Sequence, residues 1–142
     1  MGEAEEELRK RNKVLQFRLI IKLKYTEANF GMLKYCQGKL GLGNVRINGK
    51  EVIFQIDDIS QIAQIIPIFS TYPLLTTNMR SRFFFFSFCF NARSYITVQQ
   101  MQQLKANFIN LPPIGTPQQI KELAYFSSWL VGLFFFLLIF YI

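Results

Sequence analysis

Residues 14–24 read VLQFRLIIKLK, and their alternation decides the fold. Leu15, Phe17, Leu19, Ile21 and Leu23 occupy one set of alternate positions, and Gln16, Arg18, Ile20, Lys22 and Lys24 the other. Period two sustained over this length is a strand signature. The odd-numbered face needs a core to cover it. The even-numbered face is basic, with successive side chains about 6.6 Å apart along a strand. That interval is comparable to the step between phosphates on one strand of nucleic acid. From charge alone the basic face suits either a polyanion or plain solvation.

Reading outward, Thr26 is placed to cap a helix over roughly 27–40, with Phe30, Leu33 and Leu40 as its apolar stripe and Lys34 and Lys39 off it. Gly41 and Gly43 stop that helix. The next stretch, NVRINGKEVIFQI (44–56), holds Asn48-Gly49, a strong short hairpin signal of the type I′ kind. It predicts strands over 44–48 and 51–56, with Val45 and Ile47 on one face and Arg46 on the other. Asp57 or Asp58 then caps an amphipathic helix to about Ile66, with Ile59, Ile62, Ile65 and Ile66 as its buried stripe. Strand, helix, hairpin and helix in this order make an α+β pattern.

Beyond this body the sequence changes character. RFFFFSFCF (82–90) is too apolar for a solvent-facing strand and too short to span a bilayer as a helix. Burial, membrane insertion and decay of the coding sequence all stay open for it. Residues 91–122 are polar and Gln-rich, with a Pro/Gly linker LPPIGTP at 111–117. Thr116, Pro117 and Gln119 resemble a helix start. The stretch LAYFSSWLVGLFFFLLIFYI (123–142) carries no charge. As a helix it is about 30 Å long, the hydrocarbon thickness of a bilayer, so either a membrane span or a helix buried in an assembly fits. Residues 1–13 form a charged leader without the apolar segment of a signal peptide. The expected organisation is therefore a leader (1–13), a body (14–80), a connector (81–122) and an apolar helix (123–142).

Composition bounds the chemistry. The 142 residues are 51% hydrophobic, include sixteen Phe and no His, and carry a net charge of +7. That charge is unevenly spread: residues 8–56 hold eleven of the sixteen bases and only Glu27 and Glu51 as acids. Without His, and with only Cys36 and Cys89, the sequence excludes a zinc finger, a Cys–His nucleophile pair and a disulfide framework. Phe, Tyr, Met, Ile, Asn and Lys together number 59, against 26 for Gly, Ala, Arg and Pro. That bias points to AT-rich coding DNA, as in an organellar genome.

The segments QFRLIIKLKYTEANF (16–30), MLKYCQGKLGLGNVRINGKEVIFQI (32–56) and DDISQIAQIIPIFSTYPLLTT (57–77) resemble the strand–helix–hairpin–helix body of LAGLIDADG homing endonucleases of the organellar, intron-encoded type. The resemblance implies a saddle-shaped α+β domain with a basic sheet in the DNA major groove and helices behind it. It implies that Gln16, Arg18, Lys22, Lys24, Arg46 and Lys50 lie on the nucleic-acid side. Lys and Arg would contact phosphates or guanine edges, and Gln16 would read adenine.

In that family each of two motif helices supplies an acid to a magnesium site. Neither motif is intact here. The first motif helix is missing, since Glu3, Glu5, Glu6 and Glu7 do not follow an apolar, Gly-containing helix. SSWLVG (127–132) is similar to the opening of the second motif, through Trp129, Leu130, Val131 and Gly132. Phe135 and Leu137 then stand where carboxylates are expected, and Leu138 where Gly is expected. Phe140, Tyr141 and Ile142 again resemble the start of the following strand. The expectation is a mitochondrial or other organellar protein that binds double-stranded DNA, without catalytic residues, a metal site or a retained cofactor. Two alternatives stand beside it. One is a maturase-like or ribosomal protein binding structured RNA. The other is a membrane-anchored structural subunit, with 123–142 meeting a membrane or a protein partner.

Overall fold

In the computed structural model, which describes residues 2–4, 15–109, 111–126 and 138–142, the alternating stretch forms strand β1, Arg18–Lys24. It lies inside a four-stranded antiparallel sheet with β2 (Asn44–Asn48), β3 (Glu51–Ile56) and β4 (Leu138–Tyr141), in the order β2-β3-β1-β4. The register sets Leu19, Ile21 and Leu23 opposite Ile56, Phe54 and Val52, and Val45 opposite Phe54. Because side chains alternate along each strand, this register gathers the apolar positions of three strands on one face. Phe17, Leu19, Val52, Phe54 and Ile56 are buried there, with Leu15, Ile21 and Leu23 packed beside them.

Two glycines shape the hairpin. Asn48 pairs with Glu51, so the turn residues are Gly49 and Lys50. Of these only Gly49 has a positive φ, 62°, since no non-glycine among the described residues has one. A type I′ turn needs positive φ at both central positions, and a type II′ turn only at the first. The expected type I′ turn is therefore corrected to the type II′ pattern, because Lys50, the second central residue, does not take the positive φ that type I′ requires. Before the hairpin, Gly43 has a φ of 81°, and a Cβ there would stand 2.9 Å from the Phe54 ring.

Three helices cover the apolar face. Helix α1 (Glu27–Leu40) starts at Thr26, whose Oγ1 accepts a hydrogen bond from the Asn29 amide at 3.0 Å, and ends at Gly41 in the left-handed conformation. It buries Leu33 and half-buries Phe30, while Leu40 is exposed. Helix α2 (Ile59–Thr71) starts at Asp58, whose Oδ1 accepts from the Gln61 amide at 3.1 Å. It buries Ile62 and Ile65 and packs Ile66 and Phe69 against the core. Ile59, expected in that stripe, is 51% exposed. The helix also continues past Ile66 through Pro67. Pro67 and Ala63, four residues before it, both face solvent, so water can satisfy the carbonyl that Pro leaves unpaired.

The aromatic run belongs to helix α3 (Thr77–Asn91), capped by Thr76. Of the readings open for it, the structure has burial. Phe83, Phe86 and Phe90 recur at helical spacing and, with Cys89, lie buried, whereas Phe84 and Phe88 remain exposed. The Phe86 and Phe90 rings meet Phe17 edge-to-face at 5.6 and 5.4 Å, and Phe140 of β4 lies 5.3 Å from Phe86. Such ring pairs add about 0.5–1.5 kcal/mol each beyond the area they bury. Helix α4 (Val98–Leu104) follows, runs into a 3-10 turn (Lys105–Phe108), and seats Phe108 against Phe85. Helix α5 (Pro117–Lys121) begins at the expected helix start, which closes as a capping box: Thr116 Oγ1 accepts from the Gln119 amide, and Gln119 Oε1 from the Thr116 amide. The Tyr125 hydroxyl donates to the Pro73 carbonyl at 2.9 Å, tying this connector back to the body.

The apolar helix expected over 123–142 does not run its full length. Leu138–Tyr141 form β4, pairing with the outer edge of β1. An unbroken apolar run fits a buried strand as well as a buried helix, and pairing with β1 satisfies the backbone groups along one edge of this stretch. Among the described residues no helix is long and apolar enough to cross a membrane. Trp129–Gly132, Phe135 and Leu137 lie outside the described residues, as does most of the leader.

Candidate nucleic-acid interface

The opposite face of the sheet presents the other half of each strand's alternation. Strand β1 contributes Arg18, Ile20, Lys22 and Lys24, and cross-strand pairing adds Gln55 beside Ile20, Ile53 beside Lys22 and Glu51 beside Lys24. Strand β2 brings Asn44, Arg46 and Asn48 opposite Gln55, Ile53 and Glu51. Lys22 and Arg46 thus flank Ile53 on strands about 9.6 Å apart. Lys22, Lys24 and Arg46 are exposed and Arg18 is half-buried. Lys50 extends the row at the tip of the hairpin, which is anchored next to β1 by the Tyr25 amide donating to the Lys50 carbonyl at 2.8 Å. Just ahead of β1, Gln16 is exposed, and its Oε1 accepts from Arg18 Nη2. All six residues singled out in the sequence therefore lie on or beside one sheet face.

That face is not uniformly polar. Ile53 is 1% exposed and Ile20 is buried, so the central floor is apolar while the cations rise around it. Lys and Arg stems can cover such apolar surface while their charges stay in water. Glu51 and Asp57 are the acids near this face.

One residue at its centre is absent from the sequence reading. Gln55 is only 8% exposed, and both ends of its amide are engaged. Its Oε1 accepts from Arg46 Nη1 at 2.8 Å, and its Nε2 donates to Asp57 Oδ2 at 3.0 Å. The opposite amide orientation would set donor against donor and acceptor against acceptor, so the two charged neighbours fix it. The available signal was a lone Gln within the apolar strand sequence VIFQI (52–56).

Three of the described acids are committed to local structure. Asp57 accepts from Gln55, Asp58 caps α2, and Glu122 accepts from Gln118 Nε2 at 3.1 Å. Hydrogen bonds from the Ser60 hydroxyl and the Gln61 amide hold the Asp58 carboxyl below its ordinary pKa. No group of three or more His, Cys, Asp or Glu among the described residues could hold a metal ion. Asp57, Asp58 and Glu122, dispersed and already paired, do not fit a shared magnesium site. Burial pushes the Cys89 thiol up to about 11, and Cys36 is also raised, so at neutral pH both are protonated packing groups.

The sequence profile described as LAGLIDADG endonuclease matches residues 3–89, which takes in the body and nearly all of the aromatic run. A probable intron-encoded endonuclease aI3 of Kluyveromyces lactis is 43% identical over 70 residues, 49% of this chain and 17% of that protein. The protein of the same name from Dictyostelium citrinum is 30% identical over 128 residues, 86% of this chain and 51% of that protein. The chain thus spans about half or less of the length of these relatives. Among solved structures, the LAGLIDADG homing endonuclease I-GzeII in complex with its DNA target superposes with a TM-score of 0.52 at 20% identity, over 75% of this chain and 38% of that one. The LAGLIDADG meganuclease I-CpaMI bound to uncleaved DNA gives 0.51 at 22% identity, over 82% of this chain and 39% of that one. The profile match covers more than half of the sequence and agrees with an α+β sheet backed by helices, and the chain belongs to the LAGLIDADG endonuclease family.

Proposed function

We propose that the open sheet face binds double-stranded DNA through Arg18, Lys22, Lys24, Arg46 and Lys50, with Gln16 at its edge. The observation that carries this reading is the register, which collects Arg18, Lys22, Lys24 and Arg46 on the face opposite the three helices, with Lys50 at the hairpin tip. Their lateral and axial spacings suit a groove edged by phosphates. The two solved relatives named above were crystallised with DNA, which supports the same partner for this chain.

The chain binds without cleaving by itself. Phe135 and Leu137 cannot ligate magnesium, and Asp57, Asp58 and Glu122 serve other contacts. The protein works in a mitochondrion or another organelle, a reading supported by its AT-rich residue usage and by the intron-encoded relatives.

Binding is measured by fluorescence anisotropy with a labelled duplex over a salt series. With about four to five phosphate contacts, log affinity falls against log salt with a slope of about −3.6 to −4.5. A flat salt dependence rejects the reading. Tighter binding of structured RNA than of duplex in competition transfers the face to RNA. Nicking of a supercoiled plasmid pool in magnesium by purified protein overturns the absence of cleavage.

A further inference from the structure

Resting on the DNA-binding reading, we infer that the face divides its labour: Gln55 positions Arg46 to read a base, while the lysines hold phosphates. The structure treats these cations differently. Arg46 is tethered through Nη1 to Gln55, a buried side chain that is itself anchored by Asp57. Lys22, Lys24 and Lys50 are exposed cations along the edge of β1 and the hairpin tip. A phosphate is met by charge from many directions, and a mobile ammonium suits it. A base edge is met in one plane. Guanine O6 and N7 accept two parallel hydrogen bonds from a guanidinium whose orientation is already fixed. Gln55 fixes one end of the Arg46 fork and leaves its remaining N–H groups unspent.

The test is selection of bound molecules from a random-sequence duplex pool by the full chain, followed by salt-dependent affinities for the selected and the unselected pools. The wild type enriches guanine at one position. Gln55→Leu and Arg46→Lys each lose that enrichment and reduce the preference for the selected duplex by about 5- to 150-fold, with little change in salt slope. The charge-conserving double variant Gln55→Glu with Asp57→Asn restores it, since the new carboxylate accepts from Arg46 and the new amide donates in return. Lys22→Gln with Lys24→Gln lowers the slope by about 1.8 and keeps the guanine.

Circular dichroism confirms folding of each variant, and Arg46→Lys, at an exposed site, serves if Gln55→Leu unfolds. An unchanged motif in Gln55→Leu and Arg46→Lys overturns the inference, as does failure of the double variant to recover it. A wild type that binds duplex without enriching any base overturns it too, while leaving the DNA-binding reading intact. A wild type that binds no duplex sinks both.

Discussion

The two faces of the sheet are built from neighbouring residues of the same strands, yet they obey different rules. On the inner face Leu19, Phe54 and Ile56 are buried among helices, and shape and volume decide which residues fit. On the outer face Lys22, Lys24 and Arg46 remain exposed, and charge and reach matter more than volume. A one-residue slip in register would exchange the two sets. The contrast teaches that stability and binding separate largely by residue parity along β1, with the buried Ile20, Ile53 and Gln55 of the outer face the places where they meet.

Variants on each side sharpen the separation. The largest effect is expected from Phe54→Ala on the inner face: a loss of about 3–5 kcal/mol in urea denaturation. Whatever fraction remains folded should keep the wild-type salt slope. If Phe54→Ala left stability near wild type, the assigned core would be wrong. Next, Lys22→Glu with Lys24→Glu should abolish DNA binding near physiological salt, with stability altered by less than about 0.5 kcal/mol. Unfolding of that variant would break the comparison from the other side. A smaller effect, about 1 kcal/mol, is expected for Thr26→Ala, which removes the cap of α1, measured by thermal melting with DNA affinity as a control.

The smallest effect concerns pH. The Asp58 carboxyl is depressed in the folded chain, chiefly by its hydrogen bond from Ser60. Its contribution is therefore present above the unfolded carboxylate pKa of about 3.9 and is lost as pH falls through the lower, folded value. Asp58→Asn keeps a capping side chain and should flatten this part of the acid unfolding curve. A curve identical to wild type would remove Asp58 from the account.

Much of this was legible in advance because it rests on local rules. Alternation in 14–24 placed the strand and both its faces; Thr26, Gly41 and Asp58 fixed helix ends through hydrogen bonds that span only a few residues. Arg18, Lys22, Lys24 and Arg46 gathered on one side for the same reason, since parity survives any reasonable pairing, while Gln16 and Lys50 lie beside it. What escaped depends on distant partners. The hairpin was placed correctly; its turn type, which depends on the φ of Lys50, was not. The Phe run has no visible period because nearly every position is Phe, so only packing against Phe17 and Phe140 separates its inner from its outer side. Gln55 looked like one polar residue in an apolar strand, since its role needs Arg46 on another strand and Asp57 beyond the strand end. Strand β4 escaped because an uncharged run carries no alternation to distinguish strand from helix.

The pairing of β1 with β4 also has a consequence in time. Ile20 lies opposite Ile139, so β1 waits for a segment synthesised much later than itself. At about 5–20 residues per second on the ribosome, several seconds pass between completion of the hairpin and arrival of β4. Throughout that interval one edge of β1 carries unpaired amides and carbonyls beside a cluster of Phe side chains, the combination most prone to joining a neighbouring chain. Newly made protein should therefore depend on chaperones during synthesis more heavily than the finished fold would suggest.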